Sequence, residues 1–205
     1  MNKFFLIIIL SYLIGSISGS LLLGKIWNVD IRKHGSKSAG GTNALRTVGV
    51  VFALLTLVID VAKGFLPTFI IGYYSNFNSY EMMLGAAAAI LGHVYPLYYK
   101  FNGGKGAATI LGALFVLTPQ SIPYILAVWV CSVLLSGYVG ISTILASLTL
   151  FVYAIIYLNT EFQIFGMIVF IFIVFTHRKN LSRMRNGTEN RFTSCLLYTS
   201  PSPRD

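Results

Sequence analysis

Charge is scarce in this chain of 205 residues. Charged side chains make up 10% of it, and only six residues are Asp or Glu. An ordinary soluble domain is about 25% charged. Too few charges are present to solvate a globular surface, and with 56% hydrophobic residues and a mean hydropathy of +0.75, disorder and a heptad coiled coil are excluded as well. Cysteine is equally scarce. Cys131 sits in an apolar run and Cys195 near the end, so neither a disulfide framework nor a cysteine metal centre is supported. No internal repeat is evident, which speaks against a transporter built from repeated halves. What remains is an all-α polytopic integral membrane protein with short loops and no separate soluble domain.

A helix needs about 20 apolar residues to cross the hydrocarbon core. The apolar blocks predict about seven spans, over 3–24, 47–73, 81–99, 107–118, 122–137, 141–158 and 162–176. Thr118-Pro119-Gln120-Ser121-Ile122-Pro123 breaks the fourth from the fifth. The two could also be one kinked span, so the count ranges from five to seven. Residues 4–14 have the length of a signal-peptide core, but the apolar pattern runs on to Leu23 without a small-residue cleavage site. They are read as the start of the first span. Residues 1–193 are expected to form one membrane-embedded domain. The Ser/Pro-rich end, 194–205, breaks the pattern and is read as a non-native tail.

The net charge of +9 comes from fifteen Lys and Arg residues. In a soluble protein it would suggest nucleic acid. Here the basic residues cluster in short segments between apolar blocks, so they are read as orientation charges and anion ligands. Seven spans with the N-terminus outside and the C-terminus cytoplasmic place twelve of the fifteen on the cytoplasmic face, as the positive-inside rule requires.

Four polar segments then share that face. The first, 32–46, mixes Gly35, Gly40 and Gly41 with Ser36, Ser38, Thr42, Asn43 and flanking cations up to Arg46. Glycines allow close backbone approach to a ligand, and hydroxyls, an amide and Arg add donors. The plain alternative is a solvated loop. The second, Gly103-Gly104-Lys105-Gly106 before Thr109, opens a helix. It is not a Walker A loop, because Gly106 follows the lysine, yet backbone N–H groups and a lysine can cradle phosphate by the same physics. A flexible turn with a snorkelling lysine is the alternative. Asp60 and Lys63 share one helix face inside the second span. Intramembrane charges are functional suspects by default, though a structural ion pair fits equally. Finally, His177 to Asn180 lie where the last span ends, suited to an anion, a proton or simply lipid headgroups. His93 and Pro96 are read as setting the exit of the third span, and Gly15 with Gly19 as a helix contact.

In order and spacing, these pieces resemble the acyl-phosphate-dependent glycerol-3-phosphate acyltransferases of bacterial membranes (PlsY type). The likeness runs from Gly15 to about Phe192 and is carried by Gly15-Ser16-Ile17, the 36–46 loop, Asp60-x-x-Lys63-Gly64-x-x-Pro67, Gly92-His93-x-x-Pro96, Gly103-Gly104-Lys105-Gly106-x-Ala108-Thr109 and His177-x-x-Asn180. Where that family has Ser-Gly-Asn, this chain has Ser36-Lys37-Ser38. Where it has a serine two residues after a tyrosine, Gly140 follows Tyr138, and Ser142 is the nearest hydroxyl.

The resemblance implies transfer of a fatty acyl group from acyl phosphate to the 1-hydroxyl of sn-glycerol 3-phosphate. The products are lysophosphatidic acid and phosphate, the first step of phospholipid synthesis, made at the cytoplasmic face of the bacterial inner membrane. It implies no cofactor, no metal and no obligatory protein partner; the partners are the two substrates and membrane lipid. On this reading Ser36, Thr42, Asn43 and the loop of Gly103, Gly104 and Gly106 hold the acyl phosphate, and Thr109 and Ser142 are further substrate-binding residues. Arg46, Lys105, His177 and Asn180 hold glycerol 3-phosphate, while Asp60 and Lys63 brace the loops. Asn43, Arg46, Lys105 and His177 are expected nearest the chemistry. Neither a His-x4-Asp motif nor a G-x-S-x-G elbow is present, so no covalent acyl-enzyme is expected. The proton acceptor is either His177 or the acceptor substrate's own phosphate. A transporter of a phosphorylated metabolite, or a structural membrane protein, are the competing classes.

Overall fold

The computed structural model describes residues 3–192; the expected tail at 194–205 lies outside them. Ten α-helices follow in order: α1 (Lys3–Gly15), α2 (Gly19–Ile26), α3 (Gly41–Thr47), α4 (Val50–Tyr74), α5 (Ser79–Val94), α6 (Ala107–Leu117), α7 (Ile122–Ser136), α8 (Val139–Tyr157), α9 (Thr160–Thr176) and α10 (Arg178–Arg185). No strand occurs among the described residues. Four helical segments are long and apolar enough to cross a bilayer, or six if the bent pairs α1–α2 and α9–α10 each count as one. α6 is shorter, at 11 residues.

The expected span at 3–24 is not one helix. It breaks between Gly15 and Gly19 with a bend of 48°. The physical reason lies on α4. Lys63 Nζ donates to Ile17 O at 2.7 Å, and Gly19 N donates to Asp60 Oδ1 at 3.3 Å. Backbone groups freed in a membrane helix must find partners inside the protein, and the buried Asp60–Lys63 pair supplies both. Two further helices had no counterpart in the apolar pattern. α3 is only seven residues long, and α10 is too polar to register as a span. The third span ends at Val94, with a 3-10 turn over Leu97–Tyr99.

Small residues set the helix spacing. At Gly15 an added Cβ would collide with the backbone of Ala89 on α5, and at Gly64 with Thr109 on α6. Helices approach closely where such residues meet, because no hydrophobic force drives them together in lipid. α1, α4, α5 and α6 thus pack as one group, and α7, α8 and α9 as another. The main apolar core joins the groups near the Thr118–Ser121 connection, where Leu117, Ile122 and Ile125 meet Phe165 and Val169.

Candidate active site

A cavity of about 610 Å³ lies between the two groups of helices. Its polar end is built from α3, the glycine loop, the α9–α10 junction and Glu189. Its apolar interior runs along one face of α8 from Val139 through Thr143 and Ala146 to Leu150, about 16 Å of helix rise. α4, α6, α7 and α9 complete it with Leu54, Leu57, Leu114, Trp129 and Val169. Leu54, Leu57 and Leu126 line the cavity and are also exposed on the outer surface. The cavity therefore opens sideways between α4 and α7.

Of the expected residues, Ser36, Thr42, Asn43, Arg46, Asp60, Lys105, His177 and Asn180 all reach this wall. They come from four places in the chain, yet meet at one end of one cavity. Lys63, Gly103, Gly104, Gly106, Thr109 and Ser142 are not among the residues that line it.

Asn43 is 2% exposed and fully engaged. Its Oδ1 accepts the Ser36 N–H at 2.9 Å, and its Nδ2 faces the carbonyls of Ile31, His34 and Ser38. One amide thus folds the whole 31–38 loop. Glycine at 35 is required there, because φ is +56° and a Cβ would strike Asn43 Oδ1. Arg46 Nη2 donates to Asn190 O at 3.2 Å, which draws the chain after α10 across the cavity mouth.

The first half of the glycine loop spends its N–H groups inside the protein. Gly103 N donates to Val94 O at 3.2 Å and Gly104 N to His93 O at 3.1 Å, so both N–H groups point away from the cavity. Lys105 O accepts the Thr176 hydroxyl at 3.1 Å. With its backbone held on both sides, the loop presents the Lys105 ammonium and the first turn of α6 to the cavity.

That ammonium is held by Asn180 Oδ1. Asn180 Nδ2 donates to Glu189 Oε1 at 2.8 Å, and Arg183 Nε donates to Glu189 Oε2 at 2.6 Å. The chain Arg183–Glu189–Asn180–Lys105 fixes which way the amide of Asn180 points. Burial, with Arg183 and Arg46 nearby, lowers the pKa of Lys105 to about 8, while Glu189 opposes the shift. His177 turns Nδ1 toward Ile173 O at 2.9 Å. A carbonyl can only accept, so this pattern assigns the proton to Nδ1 and leaves Nε2 with its lone pair.

Asp60 and Lys63 form an ion pair at 2.9 Å, 2% and 3% exposed. Lys63 braces the α1–α2 break rather than the polar loops, whereas Asp60 reaches the cavity wall. Ser142 donates to its own helix at Tyr138 O; on the wall its neighbours Gly140 and Thr143 take its place. Thr109 Oγ1 is buried with no hydrogen-bond partner.

Two residues that the sequence analysis did not assign to the site belong here. Glu189 had a usable signal: it is one of only six acidic residues and falls in an otherwise basic segment. His93 was read as a helix exit, yet it lies on the cavity wall with Nδ1 3.6 Å from Asp60 Oδ1.

A sequence model of the family described as Glycerol-3-phosphate acyltransferase matches residues 5–187. Among curated relatives, the glycerol-3-phosphate acyltransferase of Finegoldia magna is 36% identical, over 93% of this chain and 98% of its own. That of Geotalea daltonii is 38% identical, over 94% and 99%. The crystal structure of PlsY (YgiH), an integral membrane glycerol 3-phosphate acyltransferase, in its glycerol 3-phosphate form superposes with a TM-score of 0.91 at 30% identity. It covers 97% of this chain and 100% of that one. The lysophosphatidic acid form superposes with a TM-score of 0.87. With likeness along nearly the whole of both chains, in sequence and in fold, this all-helical membrane protein belongs to the glycerol-3-phosphate acyltransferase family.

Proposed function

We propose that this protein moves a fatty acyl group from acyl phosphate to the 1-hydroxyl of sn-glycerol 3-phosphate, releasing lysophosphatidic acid and inorganic phosphate. The observation that carries the reading is a single cavity with a cationic, amide-rich end and an apolar interior. Arg46, Lys105, His177 and Asn180 at the polar end suit phosphate. The slot along α8 suits an acyl chain.

The hydroxyl oxygen bonds to the acyl carbon, and the carbon–oxygen bond to phosphate breaks. The hydroxyl proton leaves with phosphate in the balance, carried there by His177 Nε2 or by the acceptor's own phosphate. Cations and hydroxyls at the polar end stabilise the charge that gathers on the carbonyl oxygen. Holding both substrates in one site supplies much of the rate, because effective molarities of oriented groups reach about 10⁵ M or more. Ser36 and Thr42 bind the donor phosphate, and Asn43 keeps their loop folded around it.

In the membrane the chain makes seven spans with the N-terminus outside and the C-terminus in the cytoplasm. α1–α2 count as one span and α6 as a short one. The site faces the cytoplasm of a bacterial inner membrane, where the basic loops gather and a water-soluble acceptor arrives. No cofactor and no obligatory protein partner enter the scheme.

The test is an acylation assay on purified protein in detergent or lipid. Palmitoyl phosphate and glycerol 3-phosphate together should release phosphate, and palmitoyl-CoA should not replace the donor. No turnover with either donor in well-folded protein would overturn the reading.

A further inference from the structure

A buried histidine stands beside the catalytic cavity without an evident role in binding. His93 is 3% exposed, and its Nδ1 has no hydrogen-bond partner. A polar ring in a dry site without a full bond costs free energy that a Phe or Leu would not. Its surroundings show what the ring touches. On one side lies Asp60 Oδ1, at 3.6 Å. On the other, Nε2 stands where a Cβ on Gly104 would be. The carbonyl of the same residue accepts the Gly104 N–H, and the next carbonyl accepts that of Gly103. The first half of the glycine loop is thus laid onto His93 through both backbone and ring.

Asp60 is itself fixed. Lys63 lies 2.9 Å away, and the Gly19 N–H at the break in the first helix donates to it. The contacts run from the α1–α2 break through Asp60 and His93 to Gly104, whose next residue is Lys105.

We propose that His93, oriented by Asp60, is a positioning residue for the reaction: it sets the height of the glycine loop and so the reach of the Lys105 ammonium into the phosphate end of the cavity. This rests on the acyltransferase reading for its kinetic consequence, though not for its structural one. The ring touches the loop rather than the reacting atoms. Its loss should therefore weaken acceptor binding more than it slows the chemical step.

The test compares His93→Phe, which keeps an aromatic ring at the position and removes the polar link to Asp60, with Gly104→Ala and the double variant His93→Asn/Gly104→Ala. Detergent melting curves confirm folding. His93→Phe should raise KM for glycerol 3-phosphate roughly tenfold, the worth of one displaced charge-assisted hydrogen bond, with a smaller change in kcat. Backbone amides of residues 103–106 should exchange hydrogen faster than in the parent. Gly104→Ala should be severely impaired. The double variant should recover part of that loss, because the methyl group occupies space left by the outer edge of the ring. Parent-like KM and exchange in His93→Phe would overturn the proposal, as would a double variant no better than Gly104→Ala alone. Failure of both His93→Phe and the double variant to fold would also overturn it, by making the residue a fold determinant only. If the parent itself showed no turnover, the acyltransferase reading would fall, while the exchange comparison would still decide the positioning role.

Discussion

Arg46 joins α3 to the chain after α10 and lines the polar end of the cavity. Lysine would keep the charge and lose the planar fork that binds phosphate through two parallel bonds. Arg46→Lys should therefore lose about ten- to hundredfold in kcat/KM, from one or two charge-assisted bonds, read as phosphate release. Lys105 carries a pH signature. Its pKa near 8 in the ligand-free protein should make kcat/KM fall as pH rises through 8, since the free enzyme then loses its ammonium. A bound phosphate stabilises the charged form, so the fall in kcat should come at higher pH. The sign for stability is opposite. Between pH 8 and the ordinary lysine value of 10.5, the unfolded chain binds more protons than the native one, so ligand-free stability should rise with pH across that window. Calorimetry of glycerol 3-phosphate binding near pH 8.5, in buffers of different ionisation heat, should register proton uptake.

The elements that carry these side chains are held by small residues and unusual backbone. Gly140 on α8 faces Asn180 on α10, and a Cβ there would lie 2.9 Å from the Asn180 Cβ. Gly140→Ala should push Asn180 aside and loosen its hold on Lys105. The expected result is a higher KM for the acceptor in protein that melts close to the parent temperature. The 31–38 loop holds Lys37 at φ +58°, a region that costs a side-chain-bearing residue about 1–2 kcal/mol. Lys37→Gly should raise stability by about 1 kcal/mol, measured by thermal melting, with turnover retained because the exposed Lys37 is not on the cavity wall.

Across the molecule, two groups of helices enclose a slot that ends at Leu114, Leu150 and Val169, each under 5% exposed. The slot's depth should set the acyl preference. Leu150→Phe should shift it toward shorter acyl phosphates, by roughly fourfold per methylene displaced, from about 0.8 kcal/mol per buried CH₂. Competition between palmitoyl and lauroyl phosphate would read this directly. The side opening between α4 and α7 lets a chain too long for the slot trail into lipid. Much of this architecture was already legible in the residues. Long apolar blocks can only be helices in a bilayer, because no other single segment satisfies its own backbone there. The basic and glycine-rich segments between them named seven side chains on the cavity wall, and the charge inside the second span named an eighth, Asp60. Those signals are local: hydrophobic length, punctuation by Gly and Pro, and charge. The break in the first helix, the engagement of the Gly103 and Gly104 N–H groups within the protein, and the place of His93 on the cavity wall were not legible. Each depends on a partner between 9 and 46 residues away in the chain or on another helix, and a hydrogen bond between distant residues leaves no periodicity to read. Composition and spacing thus determined the membrane fold and the kinds of polar group between its spans, while the packing of one helix against another decided which of those groups face the cavity, because a donor has only one direction in which to point.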